Sequence, residues 1–93
     1  MDIKAGEALS FEIIGKPEEV KTALFILTRD LEENPICKKT LNRGIDYAGR
    51  EDDSFFYEIT LTKEDIAIPG RYFYELKLFT DSVSAYKGML VVK

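Results

Sequence analysis

The residues best suited to chemistry are three consecutive acids, Glu51, Asp52 and Asp53, which follow Arg50. Two carboxyl groups about 5 to 10 Å apart can hydrolyse a glycosidic bond, provided that burial raises the pKa of one of them. This stretch is predicted to be an exposed loop without an apolar pocket nearby, so no such shift is expected. The sequence also contains no histidine, the commonest general base at neutral pH. We therefore interpret the acids as a solvated loop and predict that the protein is not an enzyme.

Calcium binding is the other chemistry open to acidic residues, because calcium prefers carboxylate oxygens. The order of the acids in this chain does not match the EF-hand loop. Asp46, Glu51 and Asp53 would form a site if they converged at one end of the folded domain, as in calcium-bound adhesion domains. A single cysteine without any histidine excludes an ordinary zinc site. We expect no cofactor.

Cys37 is the only cysteine, so the chain forms no internal disulfide. The neighbouring Lys38 and Lys39 would favour a reactive thiolate, but a small apolar side chain on a strand is the simpler interpretation. A fold without disulfides suits a reducing cytoplasm. The N-terminal residues 1–6 lack the pattern of a signal peptide, so we expect synthesis and folding in the cytoplasm.

The charge of the chain argues against a nucleic-acid partner. The net charge is −4, whereas phosphate binding requires an excess of Lys and Arg. The small basic cluster of Lys38, Lys39 and Arg43 is interpreted as a solvated strand edge. No apolar run approaches the roughly 18 residues that a membrane-spanning helix needs, so no membrane partner is expected either.

The apolar residues follow the pattern of an all-β protein. Turn signals recur about every 8 to 15 residues, and apolar and polar residues alternate between them. Ninety-three residues suit one domain, residues 1–93, built as an immunoglobulin-like antiparallel β-sandwich of about seven strands. The predicted strands cover Glu7–Ile14, Val20–Arg29, Ile36–Leu41, Ile45–Tyr47, Ser54–Leu61, a segment from Tyr72 to Leu78, and Val83–Val92. An acidic turn is predicted at residues 30–35.

The segment from Pro69 to Tyr74 supports this fold most directly. Pro69-Gly70 predicts a tight turn that leads into Tyr72, Tyr74 and an alternating strand. The order resembles the tyrosine corner of immunoglobulin-like domains, with Pro69, Gly70 and Tyr72 at the corner and Tyr74 where those domains often have a cysteine. Just before it, Thr62 and Asp65 have the spacing of a helix cap and predict a single helical turn.

Alternation assigns an inward and an outward face to each predicted strand. The expected core consists of Leu9, Phe11, Ile13, Leu24, Ile26, Tyr57, Ile59, Leu61, Tyr72, Tyr74, Leu76 and Leu78. A bulge is expected at Gly88, which would move the inward face of the last strand from Val83 and Ala85 to Leu90 and Val92. Four outward phenylalanines, Phe25, Phe56, Phe73 and Phe79, are predicted to form a contact with another protein or with a second copy of the chain.

Several short segments together resemble small tailed-phage and prophage proteins, above all the immunoglobulin-like N-terminal domain of phage baseplate upper proteins. These segments are Ala5-Gly6-Glu7, Ala23-Leu24-Phe25, Leu41-Asn42-Arg43-Gly44-Ile45, Tyr57-Glu58-Ile59-Thr60-Leu61, Pro69-Gly70-Arg71-Tyr72-Phe73-Tyr74 and Gly88-Met89-Leu90-Val91-Val92. The baseplate protein continues into a further region, whereas this chain ends at Lys93, so a free-standing virion protein and an excised domain both remain open.

The resemblance implies a rigid attachment module without chemistry of its own. Its partners would be other virion or tail proteins, and it would be made in the host cytoplasm and carried in the virion. No functional residue follows from the resemblance, because the matching positions are core and turn residues. The alternative function is a bacterial adhesion-type domain that binds carbohydrate or calcium.

Overall fold

The computed structural model describes residues 2–30 and 34–93. Within them, eight strands and one short 3-10 turn, Pro17–Glu19, make up the regular structure. The strands are β1 (Asp2–Ile3), β2 (Ala8–Ile14), β3 (Thr22–Arg29), β4 (Cys37–Leu41), β5 (Gly44–Glu51), β6 (Ser54–Thr60), β7 (Gly70–Phe79) and β8 (Val83–Val92). The predicted all-β class is confirmed, with the two-residue β1 as the strand that the sequence did not indicate. Part of the predicted acidic turn, residues 31–33, lies outside the described residues.

The strands are hydrogen-bonded in the order β1-β8-β7-β3-β4-β5-β6-β2. Between β4 and β5 the link is only a two-residue parallel pairing, Thr40 with Gly44 and Leu41 with Ile45. In a flat sheet β7 and β2 would lie about 24 Å apart, at roughly 4.8 Å for each of five steps. The rings of Phe11 on β2 and Tyr74 on β7 are 5.5 Å apart, so the sheet folds over at the β4–β5 link. The result is the predicted immunoglobulin-like sandwich, with β1-β8-β7-β3-β4 packed on β5-β6-β2.

The core lies between these two layers, and most of its predicted members are confirmed. Eight of the predicted residues are buried: Leu9, Ile13, Tyr57, Ile59, Leu61, Tyr72, Leu76 and Leu78. Phe11 and Tyr74 are half-buried and pack against them.

The predicted inward face of β3 is wrong. Phe25 and Leu27 are each 0% exposed, whereas Leu24 and Ile26 are only half-buried and lie on the outer face. In β3 Leu24 and Ile26 alternate with Phe25 and Leu27, so both faces are apolar and the alternation does not identify the inward one. Pairing settles the choice, since Phe25 lies opposite the fully buried Leu76.

The bulge predicted at Gly88 is also absent, because β8 pairs with β7 in one unbroken register from Gly70–Val92 to Phe79–Val83. Val83 therefore faces outward and is 61% exposed. Gly88 faces inward, opposite Tyr74, and a Cβ atom there would collide with the Tyr74 ring. The glycine makes room for an aromatic side chain and does not interrupt the strand.

The assignment of faces on β7 can be tested by truncating two neighbouring residues. Leu76→Ala removes a fully buried side chain and should lower the free energy of unfolding by roughly 2 to 5 kcal/mol. Lys77→Ala alters the outer face and should change it by less than about 1 kcal/mol. Thermal and urea unfolding measure both. A larger loss for the lysine variant would mean that the β7 register is wrong by one residue.

Candidate protein-binding surface

The outer face of the sheet formed by β4, β3, β7 and β8 carries a group of exposed apolar side chains. Phe73 on β7 lies directly opposite Met89 on β8 and beside Thr28 on β3. Phe73 is 45% exposed and Met89 is 41% exposed. With Ile26 they line an open depression of about 600 Å³. We call this group of Ile26, Thr28, Phe73 and Met89 the outer patch.

Charged side chains border the outer patch on one side. The Glu75 carboxylate lies 3.2 Å from the Lys87 ammonium and 3.4 Å from that of Lys77. Hydrogen bonding from Lys87, supported by Lys77, holds the pKa of Glu75 below its usual value, so this carboxylate stays ionised at neutral pH. Lys38 on β4 lies opposite Ile26 and adds a further positive charge to the same face.

The four phenylalanines predicted as one contact surface do not form one. Phe25 is buried in the core, so it is unable to contact a partner, and its place in the prediction is wrong. Phe56 lies on β6 opposite Glu12, on the outer face of the other sheet. Phe73 and Phe79 share the outer face of the larger sheet but are six residues apart along β7, which is about 20 Å. Only Phe73 belongs to the outer patch.

Sequence reasoning missed Met89 and Ile26 as members of the outer patch. The signal for Met89 was the short connection between β7 and β8, because an unbroken hairpin register places it opposite Phe73. The bulge predicted at Gly88 concealed this pairing. Ile26 was missed because the prediction exchanged the inward and outward faces of β3 and therefore placed this residue in the core.

The predicted structural corner of Pro69, Gly70 and Tyr72 is confirmed for Tyr72 alone, because the chain bends at Ile68 and enters β7 at Gly70 without the tight turn predicted at Pro69-Gly70. Gly70 opens β7 with a φ of 137°, a conformation that favours glycine. The Tyr72 ring is buried, and its hydroxyl donates a hydrogen bond to the backbone carbonyl of Ile68. This bond satisfies the buried phenol and ties the bend at Ile68 to β7, which helps to position β7, and hence Phe73, on the sheet.

The single helical turn predicted after Leu61 is confirmed as well. The backbone N–H of Thr62 donates to Asp65 Oδ2 at 2.9 Å, and the N–H of Asp65 donates to Thr62 Oγ1 at 3.3 Å. The N–H of Ile66 donates to the carbonyl of Thr62 at 3.2 Å, which closes one turn. The reciprocal bonds are those of a capping box with aspartate in the acidic position.

Asp65 also pairs with one of the basic residues predicted to be a solvated edge. The Lys39 ammonium lies 2.7 Å from Asp65 Oδ2, and the two side chains are only 17% and 16% exposed. For Lys39 the prediction is therefore wrong, because the side chain bends inward toward the capped turn. Burial alone would raise the pKa of Asp65, but Lys39 and the hydrogen bonds from Thr62 outweigh it, so the pKa lies below its usual value.

The environment of Cys37 agrees with its interpretation as a small apolar side chain. The residue is buried. Burial raises the pKa of the Cys37 thiol to about 11, and the negative charge of Asp65 acts in the same direction against the weaker opposing effect of Lys39. The thiol is therefore protonated at neutral pH, which excludes the reactive thiolate that its two lysine neighbours would have favoured.

The acidic residues do not assemble into a site. Asp46 and Glu51 lie on the same strand, β5, five residues and thus roughly 16 Å apart, so they do not converge with Asp53. Glu51, Asp52 and Asp53 are all exposed at the turn between β5 and β6. Over residues 2–30 and 34–93, no group of three or more Cys, Asp or Glu side chains is placed to hold a metal ion. No helix in this part of the chain has the length and apolar character to cross a membrane.

The Lys39–Asp65 pair predicts how stability depends on pH. The pKa of Asp65 is lower in the folded chain than its usual value of 3.8, so the pair stabilises the fold above that pH and the stabilisation is lost as the pH falls through the folded pKa. Asp65→Asn should cost about 2 kcal/mol at neutral pH and flatten the loss of stability below about pH 4. Urea unfolding at several pH values measures both. The control is Asp81→Asn, at a fully exposed partner of Lys21. Equal losses of stability in the two variants would contradict the proposed stabilisation of the fold by the Lys39–Asp65 pair.

Comparisons with known proteins add similarities of fold alone. No family model and no curated protein matches the sequence. One similar solved chain comes from a study of T cell specificity and activation by the bacterial superantigen toxic shock syndrome toxin-1, with 12% identity, a TM-score of 0.49, and coverage of 100% of this chain and 92% of that chain. Murine CRIg shows 8% identity and a TM-score of 0.41 over 100% of this chain and 89% of its own. DIP-gamma IG1+IG2 shows 12% identity and a TM-score of 0.41, with coverage of 98% of this chain and 43% of that chain. Because all three TM-scores are below 0.5, the fold assignment rests on strand order and register.

Proposed function

We propose that this chain is a non-enzymatic module that binds another protein through the outer patch. The observation that carries the proposal is the direct pairing of Phe73 with Met89, both more than two-fifths exposed, beside an open depression. Exposed apolar side chains that are adjacent across strands, and not scattered singly, are typical of protein contacts. Phenylalanine and methionine are both enriched in such contacts.

The charges around the outer patch define the partner surface that it fits. Three lysines, Lys38, Lys77 and Lys87, share this face with one carboxylate, Glu75, although the whole chain carries a net charge of −4. A partner with an apolar side chain to fill the depression and acidic residues around it would complement this face. Burying the exposed apolar area would supply affinity at about 25 cal/mol for each Å² removed from water.

The setting that we propose for this contact is a phage or prophage tail or baseplate. The support is the resemblance of the sequence segments to baseplate upper proteins, together with a core that needs no disulfide. A module assembled in the cytoplasm must fold under reducing conditions, and this chain has one cysteine, which is buried. Its partners would be other virion proteins.

Co-expression with neighbouring tail proteins tests the proposal. If the gene lies among tail genes, a product of one of them should co-purify with the chain, and Phe73→Ser should weaken the binding at least tenfold in calorimetry. Phe73 is half exposed, so the variant is expected to remain folded.

The matched control is Val83→Ser, an exposed apolar residue on the same face but at the far end of the hairpin, opposite Phe79. Binding should survive this change. A gene flanked by sortase or glycan genes would contradict the virion role. A tail partner that binds the Phe73→Ser variant as tightly as the parent chain would contradict the assigned surface.

A further inference from the structure

The strand β2 lies at one end of the strand order, paired on one side with β6. In the described part of the chain, no strand pairs with its other side. The pairing with β6 covers the whole strand, from Ala8 opposite Thr60 to Ile14 opposite Ser54. The open side is therefore seven residues long, enough for a complete additional strand.

The hydrogen bonds at the two ends of β2 show which residues face the open side. Gly15 N–H donates to the Asp53 carbonyl at 2.8 Å, and Leu61 N–H donates to the Glu7 carbonyl at 3.4 Å. Odd-numbered residues therefore bond to β6, because hydrogen-bonded pairs alternate along an antiparallel ladder. The even-numbered residues direct their backbone N–H and carbonyl groups to the open side: Ala8, Ser10, Glu12 and Ile14.

This open side lacks the features that usually prevent edge pairing. Soluble proteins protect free edges with proline, lysine, bulges or inward charges. The strand reads Ala-Leu-Ser-Phe-Glu-Ile-Ile and carries one charge, Glu12, whose carboxylate accepts a hydrogen bond from Ser54 Oγ at 3.0 Å. Ile14, at the end of the strand, is 79% exposed. At the opposite end of the strand order, β1 pairs with β8 at Val91 and Val92.

We propose that two copies of the chain pair through β2, antiparallel and about a two-fold axis at Phe11. The smaller sheets of the two copies then join into one sheet of six strands. With Phe11 opposite its own copy, Ala8 lies opposite Ile14 of the second copy, and Ser10 lies opposite its Glu12. All four even-numbered residues are then in hydrogen-bonded pairs, which gives eight new backbone hydrogen bonds.

The side chains of β2 are complementary to themselves in this register. On the inner face Leu9 meets Ile13 of the second copy and the two Phe11 rings meet at the axis. On the outer face Ser10 is placed to donate to the Glu12 carboxylate of the second copy, and Ala8 contacts Ile14. A two-fold axis at Glu12 would instead place the two carboxylates opposite each other, which is unfavourable. An axis at Ser10 would leave Ile14 opposite Gly6, outside the strand.

This dimer is independent of the proposed function, because the outer patch lies on the other sheet. Loss of dimerisation would leave binding through Phe73 intact, and loss of that binding would leave the dimer intact. Each copy carries a net charge of −4, so long-range repulsion opposes association, and added salt should strengthen the dimer.

Analytical ultracentrifugation of the full chain, from micromolar to millimolar concentration, tests the proposal. The average mass should rise toward that of a dimer. Ile14→Lys, at an exposed position that does not support the core, should weaken dimerisation at least tenfold by removing an apolar contact and adding a charge at the edge. Phe73→Ser is the control and should leave dimerisation unchanged. A chain that remains monomeric, or a dimer that is lost with Phe73→Ser and kept with Ile14→Lys, would overturn the proposal.

Cross-linking tests the register itself. A mixture of Ser10→Cys and Glu12→Cys chains should form a disulfide-linked dimer, because hydrogen-bonded antiparallel pairs have Cα atoms about 5.5 Å apart, within the range of a disulfide. Each variant alone should cross-link at least tenfold less, since a cysteine then faces no cysteine. Both positions are exposed, so the fold is preserved. Equal cross-linking in the mixture and in the separate variants would contradict this register.

Discussion

The rest of the structure depends on the contact between Phe11 and Tyr74, which joins the two sheets. Tyr74 on β7 meets Phe11 on β2 edge to face at 5.5 Å and stacks on Phe25 of β3 at 6.0 Å. In antibody domains the corresponding place is taken by a disulfide between the two sheets and a tryptophan packed against it. This chain has a single cysteine, so aromatic packing performs the same joining role. Gly88 is part of the arrangement, because a larger residue opposite Tyr74 would displace its ring.

The position of the outer patch follows from this contact. With Tyr72 and Tyr74 facing inward, period-two alternation turns Phe73 and Glu75 outward. The tyrosine corner holds the start of β7, and the unbroken hairpin brings Met89 beside Phe73. The position of the binding surface therefore follows from the inward packing of Tyr72 and Tyr74. The side chains that form the surface lie on paired strands and not on loops. Such a surface is presented in one fixed shape.

Sequence reasoning succeeded where one face of a strand is polar. In β2, β6 and β7 the alternation identifies the inward residues, and the corner and the capped turn are local patterns that need no tertiary information. It failed on β3, whose faces are both apolar, because the choice between Phe25 and Leu24 depends on the neighbouring strands. The Lys39–Asp65 pair joins residues 26 positions apart, and no local pattern indicates it. Of the four residues of the outer patch only Phe73 was predicted, because its pairing with Met89 depends on the register of β8.

The central claim is that the Phe11–Tyr74 contact couples the two sheets, and a double-mutant cycle measures it directly. The free energy of unfolding is determined by urea denaturation for the parent chain, Phe11→Leu, Tyr74→Leu and the double variant. Leucine keeps an apolar side chain at each position and removes the ring interaction. We expect a coupling energy of about 1 kcal/mol, in the range measured for aromatic pairs. Single-variant effects that add to within about 0.3 kcal/mol would contradict the claim.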